Sequence, residues 1–126
     1  MDPSGRPART TAAESGDQTR FVDFVRGVLD DKRAEDVVWL DVSEITSIAD
    51  DFLIATITSA PQGSAIVDAC EKERKRRGLS RLGVEGEGGS SWILLDYGDL
   101  IVHLQMPEQR AYYGLEHIWA DAKRVE

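Results

Sequence analysis

Two sets of acids stand out among the residues able to do chemistry: Asp50 with Asp51, and Asp96 with Asp99. Carboxylates held close together can bind a catalytic divalent cation. Neighbours on an extended strand point to opposite faces, so Asp50 and Asp51 cannot both reach one ion there. The D-x-D alternation that a two-metal transferase needs on one strand face is missing. A metal-dependent nucleotidyl transferase built on Asp50, Asp96 and Asp99 is the enzymatic alternative. The plainer one has Asp50 capping a turn while Asp96 and Asp99 shape a hairpin.

Other catalytic templates fail on spacing. There is no G-x-x-x-x-G-K-[ST], no G-x-G-x-x-G opening a helix and no H-E-x-x-H. The glycines between Gly83 and Gly89 precede a strand, so they lack the helix dipole that would hold an anion. Cys70 falls on the apolar side of a helix and reads as a small buried hydrophobe; a nucleophile pair with His103 would need the fold to bring the two together. The run Lys72, Arg74, Lys75, Arg76, Arg77 suggests a nucleic-acid footprint. Glu71 and Glu73 dilute it and no aromatic residue interleaves it, so it reads first as a solvated helix face. An RNA groove is the second reading, in which Lys72, Lys75 and Arg76 graze phosphates beside a protein contact.

The segment from Trp92 to Gln105 is the most informative. The period of two puts Trp92, Leu94 and Asp96 on one strand face, and Ile101, His103 and Gln105 on one face of the next strand. A carboxylate ending a Trp-bearing face fits recognition, with an aromatic anchor and an acid to meet Lys or Arg. Trp, Tyr and Arg dominate interface hot spots, each often contributing ~2 kcal/mol or more. The residue chemistry leaves Trp92 open between core and interface, and favours exposure for Asp96, Tyr97 and Asp99.

The elements that must position these groups follow from periodicity. Phe21, Phe24, Val25, Val28 and Leu29 predict a helix from Thr19, its N-cap, to about Lys32. Strands are expected at Val37–Val42 and Phe52–Thr58, the second apolar at nearly every position and so covered on both faces. Ser59 caps the next helix, Pro61 sits in its first turn and Gly78 ends it. Further strands are expected near Arg81–Val84, at Ser91–Asp96 and at Asp99–Met106, the last two joined by Tyr97-Gly98. Pro107 opens a final helix with Tyr112, Leu115, Trp119 and Ala122 at helical spacing. Trp119 and Tyr112 on that helix suggest a third possibility, a homodimeric adaptor. The expected fold is α/β, a mixed β-sheet of about five strands flanked by helices.

Residues 1–18 hold no large apolar side chain after Met1 and read as a disordered tail before a domain over 19–126. The tail has no apolar stretch for a signal peptide, and Asp2, Glu14 and Asp17 argue against a transit peptide. A cytoplasmic location is expected. With 126 residues and a net charge of −8, the chain is one acidic domain, which disfavours broad nucleic-acid binding and favours a basic protein surface as partner. No run approaches the ~20 apolar residues of a membrane span. A lone cysteine excludes an internal disulfide.

The stretch Gly83-Val84-Glu85-Gly86-Glu87, then Trp92 through His103, then Glu108 through Trp119, resembles the ribosomal silencing factor (RsfS/Iojap) family. Asp30-Asp31-Lys32, Leu40-Asp41-Val42 and Ile48 through Ile54 match more loosely. The pattern W-x-x-x-D-x-G-D-x-x-V-H followed by E-x-R-x-x-Y-x-L-E-x-x-W is long and specific. The chain departs from the family pattern at Ala49, at Ile57 and at Ala60-Pro61-Gln62-Gly63, which touches the first-half loops and spares the hairpin.

The resemblance implies a nucleotidyltransferase-like fold without the transferase acids and without a cofactor. It also implies binding to the large ribosomal subunit through large-subunit protein fourteen, which blocks small-subunit joining and represses translation. By the same resemblance Trp92, Asp96, Tyr97 and Asp99 are partner-facing. His103, Arg110, Tyr113, Glu116 and Trp119 match positions of structural character.

Overall fold

The computed structural model describes residues 20–86 and 90–126. The expected Thr19 cap and the tail over residues 1–18 lie outside them. The first helix, α1 (Phe21–Asp31), buries Phe21, Val22, Val25, Val28 and Leu29, a single stripe at helical spacing. It leads into β1 (Glu35–Asp41), which turns back as β2 (Asp51–Thr56). Next comes α2 (Ala60–Arg77): the Ser59 hydroxyl accepts the Gln62 N–H at its start, and Gly78 ends it at φ +69°. β3 (Gly83–Glu85), β4 (Trp92–Asp96) and β5 (Leu100–Gln105) follow, then α3 (Pro107–Tyr113), α4 (Leu115–Ile118) and β6 (Lys123–Val125).

The six strands form one mixed sheet in the order β3-β4-β5-β2-β1-β6. Only β2 and β5 run parallel, Asp51 opposite Leu100 and Thr56 opposite Gln105; every other pairing is antiparallel. All residues of both central strands are buried, as continuous apolarity predicts for a strand covered on two sides. Alternation then divides the core. Leu53, Ala55, Val102 and Leu104 meet α1 and α2, whereas Phe52, Ile54, Ile101, Val38 and Leu40 meet Leu115 and Trp119 on the other face.

Two expectations need correction. The sheet has six strands, not about five, because β6 is three residues long and carries Lys123 and Arg124, too short and charged to show an alternation. The final helix is not continuous: Gly114 adopts φ +53°, breaking it into α3 and α4. That break turns Leu115 and Trp119 onto the sheet while leaving Tyr112 outward.

Candidate partner-binding site

The β4–β5 hairpin carries the candidate site. Its turn is closed by Tyr97 N–H to Leu100 O at 2.9 Å and by Gly98 N–H to the Asp96 carboxylate at 2.9 Å. Gly98 supplies the φ of +85° that this turn requires. The Asp99 carbonyl accepts from the backbone N–H groups of Asp50 and Asp51, which anchors the turn to the start of β2.

On the outward face of β4, Trp92, Leu94 and Asp96 are all half-exposed, while Ile93 and Leu95 are buried. The sequence left Trp92 open between core and interface; it is seated at the boundary. Its indole N–H donates to His103 Nδ1 at 3.2 Å, and its ring lies 4.7 Å from that of Tyr113. The aromatic row continues from His103 to Phe52 and on to Trp119, each step near van der Waals contact. Burial pushes the His103 pKa down to about 4, so the imidazole is neutral and accepts through Nδ1.

Exposed groups lie on or beside this face. Glu85 lies opposite Leu94 in the β3–β4 ladder and faces solvent. Leu82, 71% exposed, hangs beside the turn, its N–H bonded to Asp96 O. Tyr112, 82% exposed, stacks edge-on against Tyr113. Neither Leu82 nor Glu85 was expected at this face from sequence, and Tyr112 was expected at a dimer contact. The pairing of β3 with β4 would have flagged Leu82 and Glu85, but it needs a register that one sequence does not provide.

Tyr97 departs from the exposed position expected of it. One residue past Asp96, it falls on the opposite side of the hairpin and turns inward. Its ring packs edge-on to Phe21 at 5.0 Å, and its hydroxyl donates to Glu71 Oε2 at 2.8 Å. Burial, then the Glu71 hydrogen bond, raise its pKa well above the ordinary phenol value. Glu71 also takes Arg74 and, at 2.6 Å, Arg81. Burial works to raise the Glu71 pKa, but the hydrogen bonds from Tyr97 and Arg74 and the charges of Arg74 and Arg81 hold it below the usual range.

The enzymatic candidates are dispersed or occupied. Asp51 is buried, accepting the Trp39 indole N–H at 2.8 Å and pairing with Arg20 at 3.4 Å. Asp50 is buried beside it, and Asp96 is engaged by the turn. Among the described residues no group of three or more His, Cys, Asp or Glu is arranged to hold a metal ion. Cys70 belongs to the core under α1 and α2, while His103 packs against Phe52 on the other sheet face, so they form no nucleophile pair. Burial pushes the Cys70 thiol to about 12. Trp119, expected to be available for dimer contacts, is instead packed on Phe52 at 5.0 Å.

A sequence profile described as "Ribosomal silencing factor during starvation" matches residues 16–126, nearly the whole chain. The chain belongs to the ribosomal silencing factor (RsfS) family. It is 42% identical over 98 residues to the ribosomal silencing factor RsfS of Halalkalibacterium halodurans, covering 78% of this chain and 84% of that one. Against the Bacillus subtilis RsfS it is 36% identical over 105 residues, 83% and 89% of the two chains. A crystal structure of a Chromobacterium violaceum protein superposes with a TM-score of 0.74 at 31% identity, covering 79% of this chain and 83% of that one.

The structure gives the family motif a physical content. Arg110 bonds Glu116 at 2.7 Å and Thr56 at 3.0 Å, tying α3, α4 and β2 together. With His103, Tyr113 and Trp119 in the aromatic row, the second half of the motif braces the face that the first half displays. No helix of the described residues is long and apolar enough to cross a membrane.

Proposed function

We propose that this protein represses translation by occupancy: it binds the large ribosomal subunit in the cytoplasm through large-subunit protein fourteen and denies the small subunit its contact area. The observation that carries the reading is the half-open β4 face. It presents an indole braced from behind by His103 and Tyr113, flanked by Leu94, Asp96 and Glu85, with exposed Tyr112 beside Tyr113 and exposed Leu82 at the sheet edge. An aromatic anchor with an acidic rim, on a chain of net charge −8, suits a cationic protein surface. In this reading Trp92 fills an apolar spot while Asp96 and Asp99 meet basic side chains. Tyr97 works from behind, holding the turn against Glu71. No turnover is needed; an interface of ~1,200–2,000 Å² suffices for a stable block.

The test is co-sedimentation with separated large subunits while subunit reassociation is monitored. The wild-type chain is expected to pellet with large subunits and to reduce joined ribosomes. Trp92→Ala should lose about 30-fold or more in affinity, the equivalent of ~2 kcal/mol, and Asp96→Arg a comparable factor. Both variants should unfold within a few degrees of wild type. Wild-type binding without loss of joining would overturn the occupancy mechanism, and global unfolding of Trp92→Ala would make the indole a core residue.

A further inference from the structure

The charge on this chain is segregated. Residues 71–81 hold six Lys and Arg against two acids, a local +4, which leaves −12 for the remaining residues. Ordering of α2 sorts those cations into two sets. Arg74 turns to Glu71 and to the Leu79 carbonyl. Arg77 is buried against Glu73 and lies over the rings of Phe21 and Phe24. Lys72, Lys75 and Arg76, at i, i+3 and i+4, remain on the exposed face of the helix, and Arg81 is part-exposed at its end. Glu73 sits between Arg76 and Arg77, whose hydrogen bonds hold its pKa near 2, and Asp68 lies one turn before Lys72.

The helix that carries these cations is tied to the hairpin from its inward side. Glu71 Oε2 accepts the Tyr97 hydroxyl at 2.8 Å and its other oxygen takes Arg81 at 2.6 Å, so one carboxylate joins the recognition turn to the cationic end of α2. The outward β4 face and the cationic helix thus lie on opposite faces of the sheet and share its β3 edge, where the Leu82 N–H, one residue past Arg81, bonds Asp96 O. A basic protein flanked by a phosphate backbone is the complementary target. Lysine suits the second half of that target, because it meets phosphates as a mobile point charge and reads no sequence.

We propose that Lys72, Lys75 and Arg76, with Arg81 beside them, contact the phosphate backbone of ribosomal RNA next to the bound protein; this deepens the reading given above and rests on it. The contact adds affinity through release of counterions and leaves partner choice to the hairpin.

The test measures affinity of the full chain between 50 and 200 mM KCl for two probes, purified large subunits and isolated large-subunit protein fourteen, for wild type and Lys72→Gln/Lys75→Gln. On the subunit the double variant should show a salt dependence shallower by about 1.5 log units per decade, so wild type loses about eightfold more affinity across that range. On the isolated protein the two chains should bind alike. Equal salt slopes on the subunit would overturn the RNA contact and leave the hairpin reading standing. Equal losses on the isolated protein would also overturn it, by making the lysines part of the protein interface. Conversely, a wild type that ignores the isolated protein yet binds subunits with the steeper slope would sustain the phosphate contact and remove the proposed protein partner. Both lysines are exposed, so thermal unfolding should be unchanged; Arg76→Gln, with the same readouts, provides a second variant.

Discussion

Burial keeps the His103 imidazole neutral down to about pH 4, whereas in an unfolded chain it takes up a proton near 6.5. The unfolded state then binds more protons throughout that window, so stability falls as pH is lowered from 6.5 towards 4. Glu71, Glu73 and Glu116, all held below their ordinary values, add losses of the same sign only below about pH 4.5. Between pH 6.5 and 4.5 the decline therefore belongs chiefly to His103 and should amount to ~2–3 kcal/mol. His103→Gln keeps an acceptor for the Trp92 indole and removes the titration. Its urea-unfolding free energy should be nearly flat across that interval; a wild-type slope would show that some other group titrates. Tyr97→Phe tests a second local link: loss of the hydroxyl to Glu71 should lower stability by ~1–2 kcal/mol, read from the same curves.

At the level of elements, the exit from β3 is tightly constrained at Gly86. Gly86 has φ +85°, and a Cβ there would lie 2.0 Å from the Trp92 carbonyl oxygen. Neither partner of that clash is a flexible side chain, so Gly86→Ala must displace the start of β4. A destabilisation of ~1–3 kcal/mol is expected, with Trp92 fluorescence shifted because the indole loses its seat. The same elements show what the residue pattern could convey. The stripe of α1, the Ser59 and Gly78 caps, the buried central strands and the hairpin were legible because each is written in local chemistry at a fixed period. The break at Gly114 was not, since Tyr112, Leu115, Trp119 and Ala122 keep helical spacing across it. The inward side of Tyr97 follows from alternation, since it continues the face of Ile93 and Leu95 one residue past Asp96, but its tie to Glu71 does not. Leu82 and Glu71 join the hairpin through register and side-chain reach, which no spacing rule encodes.

For the molecule as a whole, the outer strand matters. β6 covers only Trp39 to Asp41 of β1, and is short and charged, a common way of blunting a sheet edge. Deleting residues 123–126 uncovers that stretch of β1 and removes Val125 from the core rim. Sedimentation velocity should then detect more concentration-dependent association than in the full chain, and an unchanged profile would show that the strand has no guarding role. The parallel pairing at the centre has a different kind of consequence. β5 finds its neighbour β2 only across the whole of α2, β3 and β4, and the hairpin bearing Trp92 hangs from β5. During synthesis this sheet centre closes late, because its partners are far apart along the chain. The seat of the Trp92 indole, made by His103 and Tyr113, is therefore among the last parts of the molecule to be completed as the polypeptide grows.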